Sequence, residues 1–293
     1  SPGIQDAFTY LPWTGVLLAP GRWLAGDVRW ALLAWTLVAV VGLLQLGRGG
    51  IRGRSATWTA APAVALLLLA PGTLTQVDQA WTEPLLLAGI VWWAVLVRQD
   101  RAWWAVIPLA LACASKQHLA LLLPILLVWR PFGWRRTLAT GALTGALLLP
   151  WFLAGPSDFV HDTISLLISF HPIRFANTLY LLALNTFGVT LPFWLTGLVV
   201  LASLAAVVAV VRRRQPDLPE LLRWLALMLL VANVVNKQAF YNQFWLVGRD
   251  WHDRRTALIT NPADGKIPAL TPEAQTRRRT EMESRRLHAF EDP

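Results

Sequence analysis

The stretch "ACASKQHLALLLPILLVW" (112–129) sets Ser115, Lys116, Gln117 and His118 inside an otherwise apolar run. On one side of it stands the basic loop "RQDR" (98–101), and on the other "RPFGWRR" (130–136). Basic loops next to apolar spans stay on the cytoplasmic side of a membrane, so residues 103–129 must leave that side and return to it. Two full crossings need about 40 residues, and 103–129 supplies 27. The stretch divides into arms 103–113 and 119–129, each about 16 Å long as helix. That predicts a re-entrant or strongly shortened hairpin with Ser115–His118 at its tip.

The rest of the chain agrees with a membrane setting. It is 293 residues long, 55% hydrophobic and 15% charged, with 17 Trp. Apolar runs at 30–46, 85–97, 137–154 and 190–211 approach or reach the roughly 20 residues a spanning helix requires. The alternation of a barrel strand is absent, which leaves helices as the spanning element. The expected fold class is all-α: a polytopic transmembrane helical bundle with short or re-entrant helices, followed by a polar, mostly irregular C-terminal tail. Two further basic loops, "GRGGIRGR" (47–54) and "RRRQPDLPELLR" (212–223), join the first two on the cytoplasmic side. The connecting regions 1–29, 71–83 and 155–178 carry only Arg22, Arg29 and Arg174, and are placed outside.

Residues 1–247 hold 17 Lys+Arg against 9 Asp+Glu, while 248–293 hold 9 against 8. The positive excess therefore belongs to the membrane portion, where it sets orientation. No motif of a nucleic-acid reader accompanies it, so no nucleic-acid partner is expected. Cys113 is the sole cysteine, which excludes a disulfide framework or a thiolate metal site within the chain. No cofactor or metal is expected. The opening "SPGIQDAFTYLPWTG" (1–15) has neither an initiator Met nor a signal-peptide pattern. It is read as the interior of a longer protein with at least one helix upstream.

A lysine deep in a bilayer costs at least about 2.5 kcal/mol and normally has a partner. Lys116 has a counterpart in "NVVNKQAFYNQFW" (233–245), where Lys237-Gln238 again interrupts an apolar run. Each lysine alone is open to a second reading, in which it snorkels to an interface. Taken as a pair with Gln117, His118 and Gln238, and with few acids nearby in sequence, they suit a phosphate in a cavity in the outer half of the membrane.

The outer regions supply the acids. "TQVDQAWTEPLLL" (75–87) puts Asp78 and Glu83 at the outer mouth of a helix with Pro84 near its first turn. They serve there either as capping and macrodipole charges or as a general base, metal or sugar contact. "GPSDFVHDTISLLISFHPIRFAN" (155–177) reads as an interfacial helix, with Asp158, His161, Asp162 and His171. Its Arg174 is a further phosphate or sugar contact.

These residues carry a resemblance. "YLPWTGVLLAPGRWLAGDVRWALL" (10–33), "QAWTEPLLL" (79–87), "ASKQHLALLLPILL" (114–127) and "NKQAFYNQFWLV" (236–247) resemble bacterial membrane-embedded glycosyltransferases of the C-type superfamily. Actinobacterial polyprenyl-phosphate-mannose-dependent mannosyltransferases are the nearest group. The resemblance covers about residues 8–247. It implies an inverting transferase in the plasma membrane with an outward-facing site. It also implies a polyprenyl-phosphate sugar donor, mannose as the sugar, and a lipid or glycan acceptor of the cell envelope.

A carboxylate in the first external loop of such enzymes acts as base; that loop is expected to lie upstream, leaving Asp6, Asp78 and Glu83 as candidates here. Lys116, with Gln117 and His118, would neutralise the departing phosphate. Lys237 and Gln238 would flank the same phosphate or fix the sugar, and Tyr241, Asn242 and Gln243 would meet sugar hydroxyls. Tyr241 and Trp245 read equally as interfacial anchors. A lipid-linked-sugar flippase or transporter and a non-catalytic membrane subunit stand as alternatives.

The tail 248–293 has turn signals ("NPADG", 261–265), mixed charge and little to bury. It resembles a segment of uncharacterised bacterial proteins, and reads as a polar extension, either natural or a junction of two coding segments. No chemistry is assigned to it.

Overall fold

The computed structural model describes residues 10–48, 64–65, 67–69, 71–169, 178–236, 239 and 242–246. The chain divides into two compact units, Ser1–Asp253 and Arg254–Pro293. The second unit lies outside the described residues, as does the tail 248–293. Among the described residues every regular element is helical.

Four helices are long and apolar enough to cross a membrane: α2 (Arg29–Arg48), α7 (Gly133–Ala154), α11 (Phe193–Arg214) and α12 (Leu218–Val235). Helices α2, α7 and α11 cover three of the apolar runs seen in the sequence, and α12 adds the run leading to Val235. Two more helices, α3 (Pro71–Asp78) and α4 (Glu83–Arg98), form a broken pair bent by 116°. With them the count of possible spans rises to five. The protein is a multi-pass helical membrane protein. On α7 and α11, Leu138, Leu149, Trp151, Trp194, Leu198 and Leu201 stay exposed, as lipid-facing side chains should.

The hairpin of 103–129 is present. Helix α5 (Val106–Ser115) ends at Lys116, whose backbone is extended (φ −148°, ψ 121°). A 3₁₀ turn (Gln117–Leu122) and α6 (Leu123–Val128) follow. Both ends of the segment meet the base of α7. The Arg136 guanidinium lies 5.6 Å from the Trp103 ring centroid, and Gly133 N–H donates to Trp129 O at 2.8 Å. A single straight helix over 103–129 would hold those two ends about 39 Å apart. The chain therefore turns back.

The same contacts fix the depth of the tip. Thr144 Oγ1 donates to Ala110 O (3.4 Å), about 16 Å up α7 from Gly133. Further along, Trp13 Nε1 donates to Leu147 O (2.8 Å), and the neighbouring Leu11 and Thr14 reach Ser115. Lys116 thus sits roughly two-thirds of the way along a helix about 33 Å long.

The end of α2 and the basic loops after α4, α6 and α11 gather at the opposite end. Arg98 donates to Leu46 O at the end of α2. Arg130 N–H donates to Gln215 Oε1 (2.9 Å) and Trp129 Nε1 to Pro216 O (2.8 Å). A buried aromatic cluster of Trp93, Trp129 and Phe132 ties α4 to the base of the hairpin, with ring centroids 5.7–6.1 Å apart. The positive-inside rule predicts that this end faces the cytoplasm. In a Cys113→Ala background, single cysteines at Asp78 and Ser157 should react with an impermeant maleimide from outside. Those at Arg101 and Arg213 should react only after permeabilisation; the reverse pattern would invert the topology.

One region departs from expectation. Residues 1–29 were expected to be an external connection, yet Trp13–Ala25 forms α1. It packs on α2 through Trp35 Nε1 to Leu17 O (3.1 Å) and ends at Gly26 in the left-handed region (φ 77°). Its 13 residues are too few to register as a span.

Between α2 and α4 a small residue sets the spacing. A Cβ on Gly42 would stand 2.5 Å from Val91 Cγ1, and a β-branched side chain in a helix has little rotameric freedom to retreat. Gly42→Val should therefore destabilise the fold by about 1–3 kcal/mol, read as a lowered thermal midpoint in lipid. An unchanged midpoint would show that the two helices can slide apart freely.

Candidate functional site

The break at Lys116 leaves polar backbone deep in the bundle, where each unmet group would cost several kcal/mol in lipid (about 2–7 kcal/mol). The chain near Tyr10 meets that need. Leu11 N–H and Thr14 Oγ1 both donate to Ser115 O, at 3.3 and 2.6 Å. Lys116 N–H donates to Ala112 O, and Lys116 O accepts from Leu119 N–H, each at 3.2 Å. With the backbone satisfied, the break turns the lysine side chain inward rather than along a helix face.

Its ammonium group, on a residue only 7% exposed, lies 2.5 Å from Glu83 Oε1. Glu83 is fully buried at the first turn of α4. Leu85 and Leu86 N–H both reach Thr82 O there, and the helix macrodipole favours a carboxylate. Asn242 Nδ2, from the short helix 242–246, donates to the same Glu83 oxygen at 2.8 Å. The Tyr10 ring lies 5.4 Å from Lys116 Nζ and offers a cation–π contact.

Lys116 is therefore not a bare cation awaiting an anion. No acid is near it in sequence, but Glu83 of another helix neutralises it. Nor does Glu83 stand at an outer mouth: it lies inside, and Asp78 is the exposed acid of the pair, accepting from Gln79 Nε2 (2.9 Å).

The other residues singled out in the sequence separate into two groups. Gln117 is turned toward the 155–169 segment, where its Nε2 donates to Thr163 O (3.1 Å). That segment is a broken helix, with α8 (Pro156–Val160), a π turn carrying His161 and Asp162, and α9 (Leu166–Ser169). His118 is half-buried in the 3₁₀ turn, and Gln243 is half-buried with its carbonyl accepting from Asn233 Nδ2 (3.3 Å). Asp6, His171, Arg174, Lys237, Gln238 and Tyr241 lie outside the described residues. The last three of these fall within 234–242, whose flanks Asn233 and Gln243 are joined by that hydrogen bond. Trp245 is buried and donates to Thr73 Oγ1 (3.3 Å), which removes it from the anchors of an exposed interface. Among the described residues no three His, Cys, Asp or Glu side chains gather as a metal site would require.

An ion pair and an amide buried two-thirds of the way up the bundle from its basic end are the feature any assignment must explain. The family model described as Glycosyltransferase family 87 matches residues 8–235. The chain belongs to glycosyltransferase family 87. No curated protein and no solved structure matches it. The matched span of this glycosyltransferase takes in Glu83 and Lys116 but stops short of Asn242, which closes the trio from beyond it. Asn242 was singled out in the sequence, though for a sugar and not for the carboxylate it meets. Tyr10 was not, because an aromatic residue ahead of a helix carries no signal of the lysine it covers.

Proposed function

We propose that this glycosyltransferase takes mannose from a polyprenyl-phosphate donor and passes it to a lipid or glycan acceptor at the outer face of the plasma membrane. The supporting observation is the buried Glu83–Lys116–Asn242 cluster, two-thirds of the way from the basic end. An ammonium at that depth is within reach of a phosphate at the outer lipid headgroup level while the isoprenoid tail stays in the hydrocarbon.

In the transfer, the bond between the anomeric carbon and the phosphate oxygen breaks, and the electron pair leaves with the phosphate. The acceptor hydroxyl oxygen forms the new bond and gives its proton to a base. Lys116 neutralises the charge gathering on the phosphate; a preorganised charge is worth most where that charge develops. Before donor arrives Glu83 holds the ammonium in place, and the phosphate competes with it. Lys237 is proposed as a second cation on the same phosphate, with Gln238, His118, Gln117 and Arg174 as further polar contacts. Tyr241, Asn242 and Gln243 are proposed as sugar contacts. Of the candidate bases, Glu83 is the one in contact with Lys116; Asp78 and Asp6 are the remaining ones.

The test is donor choice. Intact protein in liposomes is offered mannose on polyprenyl phosphate or on a nucleoside diphosphate, with a lipid or glycan acceptor. Transfer from the first only is expected. Transfer from the nucleotide sugar would overturn the donor assignment, and movement of the lipid across the bilayer without transfer would favour a flippase.

A further inference from the structure

Four buried polar side chains, on α3, at the start of α4 and on 242–246, hold atoms that bond nothing. They are Gln76 Nε2 and Oε1, Thr82 Oγ1, Glu83 Oε2 and Asn242 Oδ1. Gln76 is fully buried, Thr82 3% exposed and Asn242 5% exposed. Contacts tie together the elements that carry them. Trp245 meets Thr73, and Asn242 meets Glu83. Residues three apart share a helix face, so Gln76 follows Thr73 along α3 as Asn242 precedes Trp245 along 242–246. Trp81 N–H donating to Gln76 O (2.9 Å) folds the α3–α4 bend back onto the same spot.

A buried polar atom left unpaired costs about 1–3 kcal/mol, which an apolar residue at Gln76 would avoid. The chemistry of the unmet atoms narrows the ligand. A phosphate accepts only and would need donors, but three of these five atoms are acceptors, one is a donor, and the threonine hydroxyl is both. Neighbouring hydroxyls of a sugar ring, each donating and accepting, match that set. We infer that Gln76, with Thr82, the free Glu83 oxygen and Asn242, forms the subsite that grips the hydroxyls of the transferred sugar, beside the phosphate-binding Lys116. This rests on the donor reading above and extends it to Gln76 and Thr82.

Gln76→Met keeps the side-chain volume and removes both polar atoms. Thermal midpoints are read in nanodiscs for wild type and variant, each alone, with polyprenyl phosphate, and with polyprenyl-phosphate mannose. Without ligand, Gln76→Met should melt at or above the wild-type temperature. Wild type should gain more from the mannose-bearing lipid than from the bare one, and the variant should lose that difference. Its KM for the mannosyl donor should rise about tenfold, the equivalent of one or two neutral hydrogen bonds, and Gln76→Glu should recover part of it. A ligand-free variant that melts lower, or one that keeps the full mannose-dependent gain, overturns the subsite while leaving the donor reading intact. A wild type stabilised by neither lipid overturns the donor reading and the subsite with it.

Discussion

Lys116→Met should abolish sugar transfer, with kcat/KM down at least about 100-fold, the usual cost of removing one preorganised group at a developing charge. It should also destabilise the protein by about 3–5 kcal/mol, because it leaves Glu83 charged, fully buried and unpaired. Loss of activity alone would therefore not separate a catalytic lysine from a structural one. The double variant Lys116→Met/Glu83→Leu separates the cost of a broken ion pair from the loss of the pair's chemistry. Replacing both members of a buried ion pair with apolar residues is often neutral or stabilising. The double variant should regain most of the lost stability and none of the transfer. If transfer returned with stability, Lys116 would be a packing residue and the phosphate would bind elsewhere.

Glu83→Gln carries the second largest expectation. The amide keeps the shape and can still accept from Asn242 Nδ2, but Lys116 loses its counter-charge in a region where an uncompensated ammonium is costly. Transfer should fall about 10- to 100-fold and the thermal midpoint should drop. Glu83→Asp should not rescue it. A carboxylate withdrawn by one methylene, about 1.5 Å, cannot keep both the 2.5 Å contact to Lys116 and the 2.8 Å contact to Asn242. Transfer kinetics and melting of the two variants check this. Wild-type rates in Glu83→Asp would mean that the carboxylate tolerates displacement and does not position the lysine.

How far these features can be read from sequence depends on the range of the physics behind them. The spans α2, α7, α11 and α12 are written in local hydropathy, and the basic loops give their orientation. The hairpin was legible because 27 residues between two basic loops cannot make two crossings. A lysine in an apolar run must have a partner, and Lys116 announced itself in that way. Its partner did not: Glu83 belongs to a different helix, 33 residues earlier, and an acid beside Pro84 looks like an ordinary helix start. Nearness in sequence suggested a phosphate-only environment, whereas the fold supplies a carboxylate. Gln76 gave no warning, since a glutamine in "TLTQVDQ" reads as an external loop until α3 folds against 242–246. The short α1 and α10 (Leu179–Phe187) fall below the length at which hydropathy speaks.

The proposed transfer rests on one buried lysine trading a carboxylate for a lipid-borne phosphate. Its most direct test is titration of sugar-free polyprenyl phosphate into nanodiscs holding either wild type or Lys116→Met/Glu83→Leu. Wild-type protein should bind, and the double variant, with melting restored, should bind at least about 100-fold more weakly, as expected for a lost charge-assisted contact in a desolvated site. Equal affinity in the two would contradict the account.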